Sequence, residues 1–233
     1  MKVKIWSDVR CPFCYIGKHK FEAALEQFPH KDQIEVDWRS FELDPYLKTD
    51  PNLNTLDHLA AIKGLDREQV EQMTEYSTQA AREVGLELDF QDSVVANSFN
   101  AHRLMQFAKT RNLGNEIEEL LFKAHFSRGQ NIDDPEVLTE LGVSIGLEEA
   151  NVREVLSTDA FTSEVRQDQA EAQSLGIRGV PFFVFNDKYG VSGAQPIETF
   201  LGALQQSWTE FEDSKKPLMF EEGPSCSADG ECL

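Results

Sequence analysis

Cysteine is scarce in this chain, with four in 233 residues and none between Cys14 and Cys226. That scarcity excludes a disulfide scaffold. No apolar run approaches the roughly 20 residues of a membrane-spanning helix. Positive charge is also short: 22 Lys and Arg stand against 41 Asp and Glu, a formal net charge of −19. The excess of acid argues against nucleic acid and anionic membranes as partners and favours solubility. No basic, apolar leader precedes the first strand pattern, so a cytoplasmic location is expected. There is no internal repeat.

What is present is enough for a sizeable core. The apolar share is 40%, and the length suits one large domain or one domain carrying an insertion. Val3-Lys4-Ile5-Trp6-Ser7 alternates as a strand does, and Ile16, Phe21, Ala24, Leu25 and Phe28 follow at helical spacing. Ile34 to Phe41 alternates again and ends at Asp44-Pro45-Tyr46. From about 47 to 156 the pattern is almost wholly helical. Val70, Met73, Ser77, Ala80, Ala81 and Val84 trace one apolar face, closed by Gly85. Asp134 reads as an N-cap with Pro135 at the first helical position. Pro181 to Phe185 is a strand, Asn186 to Gly190 a turn, and Val191-Ser192 a partner strand. A last helix is expected from about Pro196 to Trp208.

The order β-α-β, helical block, α-β-β-α predicts an α/β thioredoxin fold with a large helical insertion. The expected division is a thioredoxin-like domain from 1–43 and 157–210, an inserted helical domain from 44–156, and a flexible tail from 211–233.

Between the first strand and the first helix stands Cys11-Pro12-Phe13-Cys14. A C-x-x-C at that junction is the arrangement of a thioredoxin-like redox site. It puts the first sulfur at a helix N-terminus, where free N–H groups and the helix dipole favour a thiolate. Cys11 is expected to be exposed and nucleophilic, and Cys14 shielded and resolving. Pro12 removes an N–H where the helix least misses it. Phe13 supplies no charge, whereas Arg10 could lower the Cys11 pKa. Asp8 would oppose that, or relay protons to Cys14.

Gly179-Val180-Pro181 leads directly into the last apolar strand. A proline there often takes the cis form and leaves the backbone of Val180 open to an extended peptide. Cys11, Cys14 and Pro181 are therefore the candidate catalytic residues. Val180, Pro12, Phe13 and His102 are the candidate substrate contacts. His102 competes with a plainer role as a helix histidine meeting solvent or a neighbour. Phe99, Phe122 and Phe126 are expected in the core. No cofactor and no metal are called for.

Taken together, these segments resemble the DsbA superfamily and, within it, the FrnE-like thiol oxidoreductases. The resemblance rests on Ser7 to Gly17, Asn100 to Leu104, Leu121 to Phe126 continuing through Asn131 to Asp134, and Gly179 to Phe183 with Val191 to Pro196. It implies a cytoplasmic protein thiol–disulfide oxidoreductase or disulfide isomerase. Its partners would be protein or peptide thiols and disulfides, with glutathione or a thioredoxin-type protein as reductant. Phe13 stands where Trp is usual in that family, and Arg10 where an apolar residue is usual. Glutathione-dependent transferases and isomerases of the same superfamily carry serine at the first cysteine, which Cys11 argues against. A peptide-binding chaperone module is the remaining alternative.

Cys226 and Cys232 close a short loop near the C-terminus, without a strand or helix signal before them. They can act as a secondary redox pair exchanging with Cys11 and Cys14, stand as inert thiols, or join the first pair around zinc. Some FrnE-like proteins also carry extra C-terminal cysteines.

Overall fold

The computed structural model describes residues 1–215. Its central sheet has the order β2-β1-β5-β6, built from β1 (Lys2–Ser7), β2 (Glu35–Ser40), β5 (Phe182–Phe185) and β6 (Tyr189–Ser192). β1 pairs parallel with β2, while β1–β5 and β5–β6 are antiparallel. The parallel pair requires a crossover, and α1 (Pro12–Glu26) supplies it.

The alternation of β1 decides what covers each face of the sheet. Val3 and Ile5 point into the main core, with Phe183 and Phe185 of β5. There they meet α1 and α9 (Ile197–Lys215): Phe21 lies 5.5 Å from Phe183 and 5.9 Å from Phe200, ring centre to ring centre. Trp6 points the other way, against Ala172 of α8 (Thr162–Ser174), and its indole N–H donates to the Asp168 carbonyl at 2.9 Å. Lys4 shares that face and pairs with Glu171 at 2.9 Å.

Between β2 and α8 the chain builds the insertion. It comprises α2 (Thr55–Lys63), α3 (Arg67–Arg82), α4 (Phe99–Lys109), α5 (Gly114–Ser127), α6 (Pro135–Ser144) and α7 (Glu149–Ser157). Asp134 caps α6 as expected, its carboxylate accepting the Glu136 N–H at 2.8 Å.

Three expectations change. The insertion also holds a two-stranded antiparallel ribbon of β3 (Asp50–Asn54) and β4 (Val94–Val95). Proline and turn-forming Asp and Asn make the first strand read as a loop, and the second is only two residues long. On α3 the buried line is Val70, Thr74, Ser77 and Ala81, whereas Met73 is 40% exposed. The Thr74 hydroxyl is buried because it donates to the Val70 carbonyl at 3.1 Å, satisfying itself within the helix. Finally, α9 continues to Lys215 instead of ending near Trp208, so residues 211–215 are helical and not tail. Cys226 and Cys232, with the expectations attached to them, lie outside the described residues. Among the described residues no helix is long and apolar enough to cross a membrane.

Candidate active site

Three short segments meet at one end of the sheet: the turn after β1, the start of α1 and the loop before β5. Asp8 turns the chain, its carbonyl accepting the Cys11 N–H at 2.9 Å. Cys11 is the N-cap residue of α1, in extended geometry, and Pro12 takes the first helical position. The Cys11 carbonyl accepts the Cys14 N–H at 3.0 Å, which puts the second thiol one turn into the helix. Across from them the Val180–Pro181 peptide is cis. The Cys11 thiol points at the Val180 carbonyl, with Sγ 3.6 Å from the oxygen. Gly17 lets α1 approach this loop, since a Cβ there would stand 3.0 Å from Pro181 Cγ.

Burial corrects the expectation for Cys11. It is only 7% exposed, and Cys14 is 1%. The first thiol is sunk against the loop that carries the Val180 carbonyl. Hydrogen bonding by the Cys14 thiol lowers the Cys11 pKa, helped by the N–H groups of Cys14 and Phe13, against the opposing effects of burial and of Asp8. Cys14 moves the other way: burial first, then the hydrogen bond and charge of Cys11, push it well up. Two neighbouring thiols are thus driven apart, one toward thiolate and one toward thiol.

Behind the thiols lies a buried polar cluster that was only partly legible. Asp8 is fully buried and accepts the Leu43 N–H at 2.7 Å and the Arg10 N–H at 3.1 Å. His102 of α4 faces it, Nε2 to Oδ1, at 3.6 Å. Burial alone would raise the Asp8 pKa and lower that of His102. Their mutual attraction outweighs it, so Asp8 is shifted down and His102 up. His102 is itself fully buried. It therefore neither meets solvent nor lines a substrate cleft, and its expected place among substrate contacts is corrected: its partner is Asp8.

Glu118 of α5 joins the cluster, accepting the Ser7 hydroxyl at 2.8 Å, with its pKa raised by burial. His125, one and a half to two turns further along the same helix, is pushed down to about 4 by burial and by the Arg10 charge. Glu118, Leu121, Phe122 and His125 sit at i, i+3, i+4 and i+7, one face of a helix. A Glu and a His on that otherwise apolar stripe were the signal available in sequence.

Pro12 and Phe13 line a cavity beside the thiols, together with Arg10 and His125. Phe122 and Phe126 are core as expected, whereas Phe99 is half-buried beneath the guanidinium of Arg166, 4.6 Å from its ring. His19, Glu22 and Glu119 bring metal-type ligand atoms within 4.8 Å of one another. Lys18 occupies that position, pairing with Glu119 at 2.7 Å and Glu22 at 2.8 Å.

A dithiol turn capping a helix, faced by a proline loop at the end of a β2-β1-β5-β6 sheet, defines the class of thioredoxin-fold proteins with a C-x-x-C site. More narrowly, the chain belongs to the DSBA-like thioredoxin domain family, whose model matches residues 2–205. It is 32% identical over 206 residues to the uncharacterized protein YwbO of Bacillus subtilis, covering 87% of this chain and 94% of that one. A solved structure described as a "probable DsbA oxidoreductase" from Streptomyces coelicolor is 40% identical, with a TM-score of 0.85 over 100% of this chain and 98% of that one. A 2-hydroxychromene-2-carboxylate isomerase is 13% identical, with a TM-score of 0.66 over 93% of this chain and 100% of that one. That last likeness is of fold alone.

Proposed function

We propose that this protein is a cytoplasmic, FrnE-like thiol–disulfide oxidoreductase acting on protein or peptide disulfides, with isomerase capacity. The observation that carries this reading is geometric: Cys11 caps α1, Cys14 lies one turn in, and the Cys11 thiol faces the Val180 carbonyl at 3.6 Å, with the directions of the two pKa shifts, Cys11 down and Cys14 up, in accord.

The Cys11 thiolate attacks one sulfur of a substrate disulfide. A Cys11–substrate disulfide forms, the substrate S–S bond breaks, and the other substrate sulfur leaves as a thiolate. Pairing of the substrate backbone with Val180 orients the extended segment. Cys14 then gives up its proton and attacks Cys11 Sγ, forming the Cys11–Cys14 disulfide and releasing the second substrate thiolate. Two electrons have passed to the substrate, and glutathione or a thioredoxin-type protein restores the dithiol. Run in reverse, the same steps oxidise a substrate dithiol. If the substrate's own free thiol attacks first, the cycle isomerises.

Replacing Cys14 with serine removes the resolving step while leaving the attacking thiol. Incubated with a scrambled or oxidised protein substrate, that variant is expected to accumulate a mixed disulfide at Cys11, visible on non-reducing gels and by mass. Cys11→Ser is expected to form none and to lose insulin reduction. Wild type without disulfide exchange in either direction would overturn the reading in favour of a binding module. The potential of the Cys11/Cys14 couple separates the directions: about −120 mV for an oxidant, about −180 mV for an isomerase, about −270 mV for a reductant.

A further inference from the structure

A cavity of about 290 Å³ opens beside the Cys11 turn, near the lower end of the size range of small-molecule sites. Arg10, Pro12 and Phe13 form its wall on the thiol side, and α2, α3, β4 and α5 close the rest.

Its charge is the inverse of the molecule's. The chain carries 41 Asp and Glu, yet among the described residues none lines this cavity, where the cations Arg10 and Lys63 do, beside the imidazoles of His58 and His125. Two of these hold unspent hydrogen-bonding capacity: buried Nη1 of Arg10 and Nδ1 of His125 find no partner among the described residues. His125 is only 3% exposed, a poor place to leave an imidazole nitrogen unless something polar visits it.

The remaining surface is apolar and partly open. Ile62 and Met73 line the cavity while being 62% and 40% exposed. Tyr76, one turn along α3 from Met73, is 71% exposed, its ring centre 6.0 Å from that of Phe13. Large apolar side chains left at the mouth of a pocket mark a binding surface.

We propose that this pocket holds the departing half of a small disulfide substrate, an aromatic or branched apolar thiol that bears a carboxylate. The proposal deepens the thiol–disulfide reading above and rests on it. The apolar body lies on Phe13, Leu59 and Ile62. The carboxylate meets the Arg10 guanidinium and the His125 ring, with Lys63 and His58 drawing it in. Cys11 thiolate attacks the sulfur nearer to it, forming a mixed disulfide and breaking the substrate S–S bond. The pocketed half leaves as a thiolate. Cys14 then resolves the mixed disulfide, releasing the other half and a proton to solvent, so the reduced protein is the two-electron donor.

The test compares two small aromatic disulfides on the reduced full-length protein: dithiobis(nitrobenzoic acid), which carries carboxylates, and dithiodipyridine, which carries none. Single-turnover thiolate release is followed by absorbance, each rate divided by that of the same probe with free dithiothreitol. Wild type is expected to favour the carboxylate probe by about tenfold at low salt, with saturation as its concentration rises. Lys63→Glu and Ile62→Asp, both at exposed rim positions, are expected to erase that preference by slowing the carboxylate probe more than the neutral one. Equal normalised rates in wild type, or a preference that survives both variants, would overturn the pocket assignment alone. A preference seen only when the carboxylate is presented within a peptide disulfide would overturn it in favour of protein substrates. Release from neither probe would overturn the thiol–disulfide reading itself.

Discussion

Asp8 Oδ1 and His102 Nε2 face each other at 3.6 Å directly behind the Cys11 turn, and neither residue reaches solvent. The acid ends β1 and the base comes from α4, so the pair ties the thioredoxin sheet to the inserted helices. Removing one member leaves the other charge, or its desolvated neutral form, in the interior. His102→Leu is expected to cost about 3 kcal/mol of stability. The Asp8→Asn/His102→Gln double variant should cost less than the two single replacements together, which urea denaturation of all four proteins measures. Asp8→Asn has a second readout. Its charge opposes the Cys11 thiolate, so its loss should move the pH profile of Cys11 alkylation to lower pH.

The two thiols make a reciprocal prediction. Hydrogen bonding from Cys14 is the largest influence holding the Cys11 pKa down. Cys14→Ala deletes that donor and should raise the Cys11 pKa, moving thiolate absorbance and iodoacetamide reactivity toward alkaline pH. Cys14→Ser keeps a donor and should move it less. An unchanged profile in Cys14→Ala would assign the depression to the helix terminus instead.

Gly17 sits where α1 passes the Pro181 loop. Alanine there gains about 1 kcal/mol of helix propensity. Its Cβ, however, would lie 3.0 Å from Pro181 Cγ, 3.5 Å from Phe183 and 3.6 Å from Ala194, with a rigid proline ring as the nearest obstacle. Overpacking of this kind costs about 1–3 kcal/mol. Gly17→Ala is expected to be no more stable than wild type in thermal unfolding. It should also slow disulfide exchange severalfold, because the loop that moves carries the Val180 carbonyl.

The thioredoxin half was readable because its strands alternate and its helix starts on a C-x-x-C; β1, α1, β2 and β5 fall where periodicity puts them. The β3–β4 ribbon was not, because Asp50 to Asn54 holds a proline among turn-forming Asp and Asn residues and so reads as a loop, and Val94–Val95 is too short to show a period. Cys11 and Cys14 stand out by spacing and Pro181 by its place before the last strand, and the structure brings the loop of the third against the first. His102 was singled out but misplaced: sequence shows which helix carries it and not that Asp8, 94 positions earlier, turns back beneath it. Glu118 and His125 were missed although they break an apolar stripe, the one local mark a buried polar residue leaves. The cavity draws its lining from five separated stretches of chain, and no window of sequence contains it.

His125 and His102 give the fold opposite responses to pH. Burial, aided by Arg10, holds the His125 pKa down to about 4, against an ordinary value of 6.5. The unfolded chain therefore binds a proton at this ring below about pH 6.5 that the folded protein refuses until about pH 4. Its contribution to stability is fully present above the unfolded value and is lost as pH falls through the folded one, about 3 kcal/mol in all. His102 runs the other way. Asp8 raises its pKa against burial, so its contribution is complete below the unfolded value and disappears as pH rises through the folded one. Chemical denaturation between about pH 7 and about pH 4.5 should show wild type weakening along the acid limb. His125→Gln should flatten that limb by removing the group that takes up the proton. His102→Gln should leave that acid limb in place, because the His102 contribution is already complete there, and should remove instead the stability gained as pH falls toward about 6.5. If His125→Gln falls with acid as steeply as wild type, the acid lability belongs to carboxylates elsewhere in the fold.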